Sequence, residues 1–229
     1  MEKSQYNLCI KVLRRLDKSG ILGQIVLAGS WCTLFYEKYF KSVRYVSMVK
    51  TRDIDFFIPE PRMIKQSVDV AELLKDMGFI IGFTGSQGYI RLEHPELIVE
   101  FLVPEKGRGT DKPYKLPQLG LNAQALRFME LLSQNTITVE VQKMRIVLPH
   151  PVNFGLHKLL VQQRRPNKAK SAKDLQDAER VLRAVVEKGE TALIKKTFGS
   201  MPKKWQSRIK ESIKSIQENG FLEFLQGHD

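Results

Sequence analysis

Two aspartates stand two residues apart in the run Asp53-Ile54-Asp55-Phe56-Phe57-Ile58. The run reads as a strand closed by Pro59 and Pro61, and a spacing of two on a strand puts both carboxylates on one face. Two anions that close repel, and a divalent cation between them resolves the conflict. Mg2+ in particular is held by one or two carboxylates together with substrate phosphates. Glu100 is the second unusual acid, flanked by Ile98, Val99, Phe101 and Leu102. A lone charge in such a strand requires a partner. With its strand beside that of Asp53, three carboxylates converge, enough to support the two-metal arrangement of phosphoryl chemistry. A cross-strand ion pair from Glu100 to Arg91 is the purely structural alternative.

A third component precedes these acids. The apolar run Gln24 to Ala28 breaks at Gly29-Ser30 and leads into a helix expected from Trp31 to about Phe40. Free backbone N–H groups at such a turn favour a phosphate, glycine permits close backbone approach, and the Ser30 hydroxyl adds a donor. Serine as a simple helix cap is the plainer reading. Trp31 and Phe35, at helical spacing, read as core side chains.

These residues need a frame. A helix is expected from about Ser4 to Lys18, followed by the strand, turn and helix just described, then a basic irregular stretch from Lys41 to Arg52. Asp69 to Met77 reads as a helix ended by Gly78, and Phe79 to Thr84, Gly88 to Glu93 and Leu97 to Val103 read as strands. Glu105 to Gly120 has the composition of a mobile loop. Ala123 to Leu132 is expected to be helical with Asn122 as its cap, and Ile137 to Val141 with Lys143 to Leu148 reads as a hairpin. Beyond Pro149 and Pro151 the periodicity is helical: Val152 to Arg164, Ser171 to Lys188, Thr191 to Phe198, Lys203 to Gln217, and a short tail from Gly220. The expectation is an α/β (α+β) domain over residues 1–150, a mixed sheet flanked by helices, followed by a helical C-terminal domain over 151–229.

Bulk properties narrow the function. No apolar run approaches the length of a membrane span and the N-terminal residues lack signal-peptide character, so a cytoplasmic protein without a membrane partner is expected. Cys9 and Cys32 show neither metal nor disulfide spacing and read as small buried hydrophobes, and the four histidines form no zinc pattern. The formal net charge of +12, leaning toward the C-terminal third, attracts polyanions such as nucleoside triphosphates or nucleic acid.

The strand LAGS (Leu27 to Ser30), the segment RDIDFFIP (Arg52 to Pro59) and the strand IVEFL (Ile98 to Leu102), in this order, resemble the nucleotidyltransferase superfamily related to DNA polymerase beta. The chain is similar in particular to bacterial families that include the AbiE-type toxin enzymes. The resemblance implies that Gly29 and Ser30 hold a triphosphate, that Asp53 and Asp55 bind Mg2+ or Mn2+, and that Glu100 is the third carboxylate and a base toward an acceptor hydroxyl. FGLHKLLVQQRR (Phe154 to Arg165) followed by KSAKDLQDAERVL (Lys170 to Leu182) is similar to the helical segment of these families. By that match Lys158 is a candidate phosphate ligand, with Arg164 and Arg165 beside it; Asp174 and Asp177 match less distinctively. Two departures stand out: many relatives carry Asp at the third acidic position, and 22 residues separate Ser30 from Asp53, about twice the spacing of compact members. The implied activity is metal-dependent transfer of NMP from an NTP to an acceptor hydroxyl on RNA, protein or a small molecule. A catalytically inactive module of the same fold that binds RNA or a protein partner is the alternative, and a kinase-like use of the fold is a third.

Overall fold

The computed structural model describes residues 3–47, 51–107, 109 and 112–215. In chain order the elements are α1 (Lys3–Lys18), β1 (Val26–Ala28), α2 (Trp31–Phe35), β2 (Asp53–Phe57), α3 (Val70–Lys75), β3 (Ile80–Thr84), β4 (Tyr89–Glu93), β5 (Ile98–Pro104), β6 (Tyr114–Leu116), β7 (Leu121–Leu126), α4 (Glu130–Gln134), β8 (Thr136–Val141), β9 (Met144–Pro149), α5 (Pro151–Val161), α6 (Lys168–Glu187), α7 (Thr191–Ser200) and α8 (Lys203–Ser215). The chain divides into two compact units, residues 1–38 with 47–149 and residues 39–46 with 150–229. None of the described helices is long and apolar enough to cross a membrane.

The first unit is built on a mixed sheet ordered β1-β2-β5-β4-β3, with β7 beside the C-terminal part of β5 and β6 beside β7. β2 and β5 are parallel, whereas β1 runs antiparallel to β2 and β4 antiparallel to β5. Strict alternation assigns the two faces. Ile54, Phe56, Val99 and Phe101 are buried on one of them, where the rings of Phe56 and Phe101 lie 5.7 Å apart. At one end of the opposite face Val26, Ala28, Phe57 and Leu102 pack against Met129 and Leu132 near α4. α1 buries Leu8, Val12 and Leu16 along one stripe, and Asp69 caps α3 by accepting from Glu72 N at 3.0 Å.

Three local expectations are corrected. Residues 121–126 form β7, not the start of a helix. Asn122 caps nothing: its Oδ1 accepts from Ile90 N at 2.8 Å and its Nδ2 donates to Gly88 O at 3.1 Å. Ladders to β5 and β6 satisfy this backbone as a strand, and the local helical preference of the alanines and leucine yields to that tertiary pairing. The stretch between β5 and β7 is less irregular than its composition implies, with Tyr114–Leu116 as a strand and Pro117–Leu119 as a 3-10 turn. The helix after Gly29-Ser30 stops at Phe35 and tightens to a 3-10 turn over Tyr36–Lys38. Of the last helix expected from Lys203, the described part ends at Ser215; the tail from Gly220 lies outside the described residues.

The second unit centres on α5, whose residues Val152 to Leu156 and Lys158 to Leu160 are buried. Helices α6, α7 and α8 surround it. Gly155 leaves room for α6 to pack closely, because a Cβ there would stand 2.5 Å from Cγ of Leu182. Residues 39–46 join this unit through Tyr39, whose hydroxyl donates to Glu190 Oε2 at 2.6 Å and lies 3.0 Å from His150 Nε2.

Candidate functional site

The registers place five residues in one row across the sheet: Ala28, Asp55, Glu100, Arg91 and Gly82, on β1, β2, β5, β4 and β3. The next row holds Asp53, Ile98, Glu93 and Ile80. Partners in register and residues two apart share a face. Asp53, Asp55, Glu100, Arg91 and Glu93 therefore lie together, all half-buried, on the face opposite Phe56 and Phe101. The adjacency of β2 and β5, which the sequence left open, is what brings Glu100 to the aspartates.

The edges of this acidic face are fixed locally. Gln5 Nε2 donates to Thr51 O at 2.9 Å and to Glu96 O at 3.2 Å, tying the approaches to β2 and β5 together. Asp53 N donates to Thr51 Oγ1 at 3.2 Å, and the same hydroxyl donates to Asp53 Oδ2 at 3.3 Å. On the β1 side Gly29 takes φ +67°, and a Cβ there would overlap Oδ2 of Asp55 and stand 3.1 Å from its Cγ. The glycine thus serves two needs, a left-handed backbone and contact with a carboxylate. Ser30 is buried, and its carbonyl accepts from Thr33 N at 3.1 Å and from Thr33 Oγ1 at 2.7 Å. The helix behind the turn has only five residues, so its dipole is small.

On the other side of Glu100 stands Arg91, whose Nε donates to Glu93 Oε1 at 2.6 Å. That hydrogen bond first, opposed by partial burial and aided by the charges of Glu93, Glu100 and Asp53, raises the guanidinium pKa above its usual value. In the sequence Arg91 stands out only as a possible ion partner of Glu100. The alternation Tyr89, Arg91, Glu93 was the signal that all three share a face, but it locates them at this site only once the order of strands is known.

Among the described residues no three acidic, histidine or cysteine side chains form a ready-made cage for a metal ion. Asp53 and Asp55 instead suit a hard cation that completes its shell with phosphate oxygens, as Mg2+ does.

Lys158, Arg164 and Arg165 belong to the helical unit. Lys158 is buried, with Nζ 2.5 Å from Asp174 Oδ1, and Arg165 Nε donates to the other oxygen of Asp174 at 2.8 Å. Burial opposes ionisation of Asp174, but the charges of Lys158 and Arg165 outweigh it and hold the carboxyl below its usual range. Arg164 is exposed at the end of the 3-10 turn Gln162–Arg164. Asp177 is buried, with Arg180 Nη1 at 3.5 Å.

A family model described as nucleotidyltransferase matches residues 7–200, and the chain belongs to that family. The crystal structure of ANT(2'')-Ia in complex with adenylyl-2''-tobramycin is similar over 93% of this chain and 99% of that one, with 11% identity and a TM-score of 0.50. An antigenic nucleotidyltransferase-like protein from Paracoccidioides brasiliensis matches over 96% of this chain and 92% of its own, at 15% identity and a TM-score of 0.47. The solution structure of the antibiotic-resistance factor ANT(2'')-Ia matches over 84% and 96%, at 15% identity and a TM-score of 0.45. At such identities the first of these likenesses shows the nucleotidyltransferase fold and no more. No curated protein sequence matches the chain.

Proposed function

We propose that the chain is a metal-dependent nucleotidyltransferase that moves NMP from a nucleoside triphosphate to an acceptor hydroxyl. The observation that carries this reading is the shared face of Asp53, Asp55 and Glu100, with Gly29 pressed against Asp55, in a chain of the nucleotidyltransferase family. Asp53 and Asp55 hold the cation, Mg2+ or Mn2+, with Glu100 as the third carboxylate. When bound, the cation neutralises charge on the phosphate oxygens. The turn at Gly29 and Ser30 receives the β and γ phosphates, and Lys158, Arg164 and Arg165 are the nucleotide-binding cations of the helical unit.

The acceptor oxygen attacks the α-phosphorus, forming a new P–O bond as the bond to pyrophosphate breaks. Pyrophosphate leaves with the electron pair, and the hydroxyl proton passes to Glu100. Most of the rate enhancement in such a scheme comes from positioning and electrostatic complementarity.

Calorimetric titration of ATP, CTP, GTP and UTP in the presence of Mg2+ tests the reading. Binding of at least one triphosphate is expected, weakened or abolished by Asp53→Ala together with Asp55→Ala. Unchanged affinity in the double variant would overturn it. With α- and γ-labelled nucleotides and a cell extract, movement of the α label supports nucleotidyl transfer. Movement of the γ label identifies a kinase, and salt-sensitive RNA binding without transfer a binding module.

A further inference from the structure

The apolar rows of the sheet run on past its covered core. On the face of Phe56 and Phe101 the registers align Ile54, Val99, Leu92 and Ile81 in one row across β2, β5, β4 and β3. The first three are at most 1% exposed, whereas Ile81 is 51% exposed. Phe83, two residues on and on the same face, is 66% exposed. β3 is also an edge: among the described residues β4 pairs with one side of it and no strand with the other. Exposed edges are normally blunted by charge, proline or a bulge, and Ile80-Ile81-Gly82-Phe83-Thr84 carries none of these.

We propose that β3 pairs antiparallel with β3 of a second copy of this chain, giving a two-fold dimer with one continuous sheet. The proposal is independent of the nucleotidyl-transfer reading. A two-fold axis normal to a sheet keeps every side chain on its own face, so a residue pairs only with itself or with one an even number of positions away. With the axis at Gly82 all five residues pair: Ile80 with Thr84, Ile81 with Phe83, and Gly82 with its own copy. An axis at Ile81 or Phe83 would leave two of the five outside the pairing. Ile81 and Phe83 then make two aromatic-to-β-branched cross-strand pairs, a stabilising kind, and the core row continues into the partner. Charge agrees with this site. Around β3, α3 with its flanking residues and β4 carry Asp69, Glu72, Asp76 and Glu93 against Lys75 and Arg91, a local acidic excess that offsets the mutual repulsion of two +12 chains. Glu93, whose carboxylate lies over Gly82 near the axis, is already paired with Arg91 in each copy. A five-residue strand makes a small interface against the ~800 Å² per partner of a standard complex, so the dimer is concentration-dependent.

Sedimentation velocity on the full chain, from micromolar to millimolar protein, tests this. The expected result is a mass rising from 26.4 kDa toward twice that value, with salt strengthening the dimer by screening the net charge. Ile81→Lys and Phe83→Glu each set a charge against an apolar side chain across the axis and should weaken dimerisation roughly tenfold or more. Both positions are exposed, so each variant should melt at the Tm of the unaltered protein. An equimolar mixture of the two variants should restore dimers, because the new lysine of one faces the new glutamate of the other only if residues 81 and 83 are partners. A chain that stays monomeric at every concentration, a dimer indifferent to both variants, a mixture no better than either variant alone, or association that continues beyond the dimer overturns the proposal.

Discussion

The backbone of Gly29 lies against the carboxylate of Asp55, so closely that no side chain fits between them. Strand β1 ends at Ala28, the register partner of Asp55, and the left-handed residue that follows turns the chain back across the acid. The turn proposed to hold phosphate and the acid proposed to hold the cation are therefore parts of one local structure.

Gly29→Ala tests that relationship. The left-handed backbone costs a non-glycine residue about 1–2 kcal/mol, and the new methyl must displace Asp55. A folded protein with a modestly lowered Tm and triphosphate affinity reduced about tenfold or more is expected, since each ~1.4 kcal/mol lost is tenfold. Thermal melting read beside calorimetry separates the two effects, and unimpaired binding would contradict the assignment of the turn.

Asp53→Asn and Asp55→Asn each remove one of two like charges on a shared face, so a Tm equal to or above that of the unaltered protein is expected. Transfer activity should fall by about a hundredfold or more, because cation-assisted charge stabilisation is worth several kcal/mol. A marked loss of stability without loss of activity would assign these acids a structural role.

Lys158 and Asp174 form a buried ion pair with Arg165 on the second carboxylate oxygen. Lys158→Ala leaves Asp174 without its most buried partner and should cost about 3–5 kcal/mol in chemical denaturation. Replacing both, Lys158→Met with Asp174→Leu, should recover most of that loss. If the recovered protein still binds triphosphate at full affinity, Lys158 is a structural residue and not a phosphate ligand.

His157 is half-buried, and its Nε2 is shielded from solvent without a hydrogen-bond partner among the described residues. Burial first, then the charges of Lys158 and Arg165, push its pKa down to about 3 against Asp174. The unfolded chain binds this proton near the ordinary value of about 6.5 and the folded chain does not. Stability is thus fully present above pH ~6.5 and falls by up to ~1.4 kcal/mol per pH unit toward the folded value. His150, whose pKa burial also lowers, steepens the same decline. Denaturation midpoints between pH 7 and about 4.5 should show a shallower slope in His157→Gln than in the unaltered protein.

The paired aspartates, the isolated glutamate and the glycine-serine turn were legible in the sequence because each violates a local expectation: charge where a strand wants apolar residues, or a break where it wants continuity. Element types followed wherever one periodicity dominated, as in α1, β2 to β5 and α6. β7 did not, because Ala123 to Leu132 favours a helix locally and becomes a strand only when β5 and β6 offer their ladders. Strand order was likewise beyond local pattern. The parallel pairing of β2 with β5 sets Glu100 beside Asp55, and the antiparallel pairing of β4 with β5 sets Arg91 on the other side of Glu100. The sequence by itself determined which side chains are chemically out of place. Only the tertiary structure decided which of them meet, because pairing between distant strands is a global choice among competing ladders, while periodicity is written into neighbouring residues.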